Sequence, residues 1–430
     1  MRLRTILAVA AAAIAVSVVP VPGHAGDSAG TLDPSFSEDG IVITNLTERE
    51  YARGIALQSD GGIIVAVQTN RAKGWRYTIV RYLSDGSVDA SFGDGGSVTI
   101  GFGWRVAEVS DVAVQSDDRI VVVGTLYDNR LGPPTVGVAR LLPDGQLDRG
   151  FGRRGKVVSS FDRGWTAAAI AIQSDGKIVI AGQLAPGFGV ARFTKAGELD
   201  PTFSMDGVAR GKPGRVGGGA SAVAVAPDGA IVVGGTSTGS PDGSNWDAAL
   251  MRFSAHGVLD HSFGRDGRII VDATDRSDSI AAMAFDAEGR IVTAGAGLQS
   301  GSTYDTEILR FTSDGHRDRS FGDRGVVIRS FGVFDSAGGI AVDAAGRLVV
   351  SVSRVTDTSP RLDSAGVVRF LPSGELDGSF GVGGLAMTDL GCEEQGSSLA
   401  QQPDGNLLVA GFVRCEYPNS DITLERYNAA

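Results

Sequence analysis

One motif, returning seven times, constrains this chain more than anything else in it. The residues Leu32-Asp33-Pro34-Ser35-Phe36 set the pattern Leu-Asp-x-x-Phe. It recurs with Asp89 and Phe92, Asp148 and Phe151, Asp200 and Phe203, Asp260 and Phe263, Asp318 and Phe321, and Asp377 and Phe380. Successive phenylalanines lie 56, 59, 52, 60, 58 and 59 residues apart. Such a period marks a chain of stacked supersecondary units, where 430 residues would otherwise suggest two or three domains.

Two further motifs fill the unit. Ile170 to Gly182 reads as an apolar strand, an Asp-Gly turn and a second apolar strand. Its turn glycine, Gly176, recurs as Gly61, Gly229, Gly289, Gly346 and Gly405, with Asp118 in the second unit. A third strand ends on a repeated arginine: Arg81, Arg140, Arg192, Arg252, Arg310, Arg369 and Arg426. Each unit therefore predicts four strands. Strands A and B flank the glycine turn, C ends at the arginine, and D follows the Leu-Asp-x-x-Phe turn, as in Lys156-Val157-Val158. Glycine, 62 of 430 residues and about twice its usual share, suits a protein made of tight hairpins. Four-stranded units repeated seven times predict an all-β, seven-bladed propeller with antiparallel blades. The last unit lacks a D strand, and residues 40–46 supply one. The N-terminal strand should therefore pair with the C-terminal blade and close the ring, removing two open sheet edges.

The start of the chain has its own grammar. Arg2 and Arg4 precede an apolar run from Ile6 to Val19, then Pro20, Pro22 and the small-residue site Gly23-His24-Ala25. Residues 1–25 are read as a secretory signal, too short in its apolar part to span a bilayer. Residues 26–430 form the single propeller domain. The product is expected to be secreted or held in the cell envelope, with no membrane span after cleavage, and to be a monomer. A net charge of −11 argues against nucleic-acid partners.

The Asp-Gly-x-Ile-Val-Val-Ala-Gly and Leu-Asp-x-x-Phe-Gly patterns resemble the delta-60 repeat family of secreted bacterial proteins, which is similar to NHL-type propellers. The resemblance covers essentially the whole chain beyond the leader and implies an exported propeller. It implies no reaction. Asp118 in place of the turn glycine, and Val88 and Arg317 in place of leucine, depart from the pattern.

A residue needed once for chemistry has no reason to appear in every blade, so the repeated aspartates and phenylalanines are read as turn-closing and wedge-filling devices. The arginine could pair with the aspartate across strands C and D. Cys392 and Cys415 flank the last A–B hairpin; with Pro403 facing Asn406, they come within two residues of facing each other. In an exported chain they are expected to form a disulfide.

Function should sit on the face that carries the B–C and D–A loops, which vary in length and composition. Trp75, Trp104, Trp165 and Trp246 fall there, with Tyr127, Tyr304 and Asp247. Exposed aromatics suit sugar rings or a protein partner. These seven residues are the ligand-binding candidates, with an extracellular protein, peptide or glycan as partner. The competing reading is that the aromatics only cover blade ends. Acidic loops could hold Ca²⁺, yet no EF-hand spacing is present, and no cofactor or metal site is expected. His256, His261 and His316 lie in C–D turns on the other face, which disfavours a histidine triad or zinc site. No phosphate loop or nucleophile elbow is present, and no catalytic residue is assigned. The leading expectation is a non-catalytic binding scaffold. A carboxylate-based hydrolase or lyase, and a structural surface protein without a pocket, are the alternatives.

Overall fold

Seven four-stranded antiparallel blades surround a central axis in the computed structural model. It describes residues 15–17, 28–47, 49–71, 74–128, 133–160, 164–238, 245–274, 276–299, 303–358 and 361–429. The inner A strands are Glu50–Leu57, Val106–Val114, Trp165–Ile172, Gly218–Val225, Asp278–Phe285, Phe334–Val342 and Glu393–Gln401. They define blades 1 to 7 in that order, and each packs against the A strand of the next blade, including the last against the first. Ile41–Asn45 pairs antiparallel with Asp421–Tyr427, so the N-terminal strand completes blade 7 as expected. Ala15–Ser17, within the apolar run from Ile6 to Val19, lies antiparallel against Ile43–Asn45 on the outer edge of that blade.

The repeated motifs form one staple per blade. All seven motif phenylalanines are fully buried. Each motif aspartate accepts a backbone N–H from two residues on, as in Asp200 Oδ1 from Thr202. The same carboxylate meets the repeated arginine at 2.8 to 3.4 Å in every blade, including Arg426 with Asp33 across the ring closure. In six of the blades, all but blade 1, the guanidinium lies over the motif phenylalanine, 4.5 Å from the ring centroid for Arg310 and Phe321. It also donates into the next blade, at 2.5 Å from Arg140 to the Lys195 carbonyl and 2.6 Å from Arg426 to that of Ser84. One arginine thus ties its own C–D turn to its neighbour. Burial alone would raise the Asp200 pKa; the Thr202 hydrogen bonds and the Arg192 and Lys177 charges outweigh it and hold it at about 2. Glycine is required where the next blade meets this staple. Gly197 has φ +85°, and a Cβ there would fall 2.8 Å from Phe151.

Asp118 takes the left-handed backbone that glycine holds in the other A–B turns, with φ +61° against +87° at Gly61. A short polar side chain tolerates that region, and the Asp118 carboxylate accepts the Ser59 N–H of the preceding blade.

Every A strand carries a β-bulge, at Arg53, Ser110, Ala168, Ser221, Ala281, Gly338 and Ser397. This bulge corrects the expected cysteine register. Gln402, not Pro403, faces Asn406 across the last turn, and the bulge at Ser397 shifts the pairing once more. Glu393 then pairs with Arg414, which sets Cys392 directly opposite Cys415. The two form a disulfide with Cα atoms 4.8 Å apart.

Candidate functional site

The blades differ most where strand A begins. Counting eleven residues back from each turn glycine, or from Asp118, gives Glu50, Ala107, Trp165, Gly218, Asp278, Asp335 and Glu394 in blades 1 to 7. Four consecutive blades, 5, 6, 7 and 1, thus carry an acid at one position, and all four acids are buried. Each braces the loop before it. Asp278 Oδ2 accepts the Ala273 N–H at 2.7 Å, Asp335 Oδ2 that of Phe331 at 2.5 Å, and Glu394 that of Leu390. Glu50 Oε1 accepts the Thr47 hydroxyl at 2.5 Å.

Between blades 5, 6 and 7 the variable face opens into a pocket of about 400 Å³. Asp335, Glu394, Arg354, Asp363 and Glu393 line it together with Tyr304, Phe334 and Phe412. Tyr304 and Phe334, 40% and 37% exposed, are joined by a parallel backbone bridge that links the sheets of blades 5 and 6. Phe412 is buried and meets Tyr51 edge to face at 4.9 Å. Among the described residues, Asp335 Oδ1, Glu394 Oε2 and Arg354 Nε are buried with no hydrogen-bond partner. Polar atoms in that state are costly unless something completes them.

The charges in the pocket wall are unusual. Burial, and then the Glu425 carboxylate, push Glu394 up to about 8, against the lowering effect of the Leu390 and Ala365 N–H groups. Glu425 itself is raised by burial and accepts the Tyr427 hydroxyl at 2.5 Å. Burial likewise raises Asp335 against its two backbone hydrogen bonds. Glu394 therefore keeps a proton near neutral pH, while Glu393 is held by Arg414 at 2.8 Å. A protonated carboxyl in a wall that also carries acceptor oxygens can donate to and accept from ligand hydroxyls, or move a proton.

The residues singled out from sequence divide. Tyr304 lines the pocket. Trp246, first in its strand and 42% exposed, stands in blade 4 beside Asp247, whose pKa is raised by burial and then by Asp272 and Asp278. Trp75 is half-buried against Tyr51, with ring centroids 5.8 Å apart. Trp104 is half-buried on the core of blades 1 and 2, and Tyr127 is half-buried at the end of a blade 2 strand. Trp165 must be withdrawn from the accessible face. It opens strand A of blade 3, is 0% exposed and packs with Val121, Val123 and Leu184. Only Trp104 lies in a loop; the other three tryptophans sit on strand ends. Two further acids of the variable loops, Asp242 and Asp275, lie outside the described residues. Asp335, Glu394 and Arg354 did not figure among the binding candidates. The acid recurring eleven residues before the turn glycine was the signal that could have found the first two. Among the described residues no group of three His, Cys, Asp or Glu side chains could hold a metal ion.

Comparison with known proteins supports the fold. Residues 58–92, 115–151, 173–203, 226–263 and 287–321 match a family model described as a β-propeller domain of unknown function. The chain is a β-propeller repeat protein. No curated protein matches it. Among solved structures it is similar to the polysaccharide lyase Uly1, at 10% identity and a TM-score of 0.51, over 90% of this chain and 91% of that one. It is also similar to a PL25 ulvan lyase bound to a GlcA–Rha3S unit, at 12% identity and a TM-score of 0.51, over 86% and 91% of the two chains. At such identities these likenesses concern the fold.

Proposed function

We propose that this protein is an exported propeller of the delta-60 type that binds a carbohydrate chain in the pocket between blades 5 and 7. The observation that carries this reading is the pairing of an aromatic rim, Tyr304 and Phe334, with buried polar atoms that lack partners, Asp335 Oδ1, Glu394 Oε2 and Arg354 Nε. Sugar rings present apolar faces for the first and hydroxyls for the second. Two propellers of this shape are polysaccharide lyases, which supports a saccharide as the ligand class. Calorimetric titration of the protein with neutral and uronate-containing oligosaccharides tests it. Phe334→Ala and Tyr304→Ala should each weaken binding by about 1 kcal/mol, roughly fivefold in Kd. A saccharide that binds both variants as tightly as the parent, or a panel that does not bind at all, defeats the reading. Sensitivity of a bound peptide to the same variants would instead assign the pocket to a protein partner.

A second reading rests on the proton that Glu394 retains at neutral pH. It would act as general acid toward a glycosidic oxygen, with a second carboxyl group of the same wall as its counterpart. Release of new reducing ends or conjugated double bonds, lost in Glu394→Gln and falling above pH about 8, is the expected signature. Intact polysaccharide after prolonged incubation leaves binding alone.

A further inference from the structure

An acidic protein has little reason to gather unpaired cations, yet blade 2 does so. Its C–D turn reads Leu147-Asp148-Arg149-Gly150-Phe151-Gly152-Arg153-Arg154-Gly155-Lys156, in a chain of net charge −11. Arg149, Arg153, Arg154 and Lys156 line a groove of about 1610 Å³ on the outer wall, and Arg71 of blade 1 lines it too. The groove runs along the outermost strands of blades 1 and 2, Ser97–Ile100 and Lys156–Ser159. Among the described residues, Arg71, Arg149, Arg153 and Arg154 make no ion pair; the carboxylate in the lining is Asp94. Lys156 Nζ donates to the Gly101 carbonyl at 2.6 Å.

The corresponding groove of blade 4 shows what is different. There Arg265, Arg268 and Arg317 share the lining with Asp266, which pairs with Arg268 at 3.3 Å. In blade 2 the place of Asp266 is taken by Arg154, with the same left-handed backbone, φ +57° at both. The blade has replaced its own counter-ion with a further cation, at a backbone position that glycine or aspartate would occupy more easily.

We infer that this outer-wall groove is a binding site for an anionic polysaccharide, one carrying uronate or sulfate groups. It is independent of the pocket between blades 5 and 7. Guanidinium forks match carboxylate and sulfate oxygens, and Ser97, Thr99 and Gln146 in the lining suit sugar hydroxyls. A nucleic acid is disfavoured because the aromatic in the wall, Phe102, is already covered by Tyr77, with ring centroids 5.0 Å apart, and by Lys156, leaving no platform for bases.

The test titrates the protein with fluorescent polygalacturonate, dextran sulfate, uncharged dextran and a short DNA duplex, at about 50 and about 200 mM salt. The variant Arg149→Ala/Arg153→Asp/Arg154→Gly gives this turn the residues of blade 1, Ala90, Asp94 and Gly95, which fold in the same setting. Arg154→Gly alone serves as a second, milder variant. Polygalacturonate or dextran sulfate should bind, and the one that does separates uronate from sulfate recognition. Binding should weaken at least tenfold both at the higher salt and in the triple variant, with unchanged thermal melting, and the triple substitution should cause the same loss when it is made in a Phe334→Ala background, where the pocket between blades 5 and 7 is already weakened. Binding retained by the triple variant, equal binding of uncharged dextran, or no binding of either anionic glycan overturns the site. Tighter binding of the duplex overturns the ligand class.

Discussion

Replacing Glu307 by glutamine should stabilise this protein at neutral pH, which a carboxylate-to-amide change in a folded core seldom does. Glu307 lies on strand C of blade 5, Tyr304–Phe311, and is 1% exposed. Neither of its carboxyl oxygens has an N–H or O–H donor among the described residues. Burial, and then the neighbouring Asp278 carboxylate, push its pKa from 4.5 up to about 9. By keeping its proton Glu307 can donate to Asp278, whose other partners are the Ala273 and Thr274 N–H groups and the Thr274 hydroxyl. The folded state therefore binds a proton that the unfolded chain releases above its ordinary value, and stability is lost as pH rises from about 4.5 towards about 9. At pH 7, about 2.5 above that ordinary value, the cost comes to roughly 3 kcal/mol at 1.36 kcal/mol per pH unit. Glutamine is neutral in both states and carries no such cost. With about 2.1 cal/mol/K of unfolding entropy per residue, 3 kcal/mol moves the midpoint of a chain this long by roughly 3 °C. Glu307→Gln should melt higher than the parent at pH 7, the gap widening at pH 8.5 and closing at pH 4. Calorimetry or urea unfolding at those three values decides it. A gap of the same size at all three pH values, or a glutamine variant less stable than the parent at pH 7, would refute the argument.

Two further outcomes concern the scaffold. Arg192→Ala leaves buried Asp200 with only Lys177, at 3.3 Å, as its cation and should cost about 2–3 kcal/mol in urea unfolding, below the loss expected for a fully unpaired buried charge. Because Asp200 is held at about 2, its contribution is present above its ordinary 3.8 and lost as pH falls through about 2, so the variant should also show a flatter acid limb. Cys392→Ser/Cys415→Ser opens a loop with a sequence separation of 23 and should lower stability by about 3 kcal/mol without altering the far-UV spectrum. An unchanged midpoint would mean that the hairpin alone holds the register.

The blade grammar was legible because seven copies vote on each position. Turn glycine, terminal arginine and Leu-Asp-x-x-Phe fall where a hairpin, a strand end and a turn need them, and the missing last D strand predicted the closure seen between Ile41–Asn45 and Asp421–Tyr427. Contacts between motifs were less legible. Arg140 meets Asp148 as the sequence suggested; that it would also lie over Phe151, and reach the Lys195 carbonyl of the next blade, depends on packing that no single motif records. The cysteine register missed by two because neither a bulge nor a longer turn leaves a mark in hydrophobic alternation. Trp165 was misplaced for a related reason. Side chains at the start of an A strand are buried or exposed according to the neighbouring blade, and Val121 and Val123 of blade 2 cover this one.

A ring of identical blades has no preferred place to bind an asymmetric ligand, so a single site must lie where the repeat is broken. Three residues before the repeated arginine the blades carry Thr78, Gly137, Gly189, Ala249, Glu307, Gly366 and Thr423, six small side chains and one acid. One residue before it they carry Val80, Ala139, Ala191, Met251, Leu309, Val368 and Glu425, six apolar side chains and again one acid. The two exceptions belong to blades 5 and 7, the blades that flank Asp335 and bound the pocket. Both exceptions are buried, and both lie against an acid at the start of strand A: Asp278 raises the pKa of Glu307 in blade 5, and Glu425 raises that of Glu394 in blade 7. Packing gives no reason to prefer glutamate over glycine or leucine at such positions, since each buried carboxyl must be kept neutral or paired. The placement of Glu425 makes chemical sense if Glu394, in the pocket wall, must hold a proton that an isolated carboxylate would release. Glu425→Leu, the choice of blade 5, therefore should preserve the blade while letting Glu394 ionise at lower pH. The pH dependence of saccharide binding would then shift downward, which replacing a purely structural residue would not bring about.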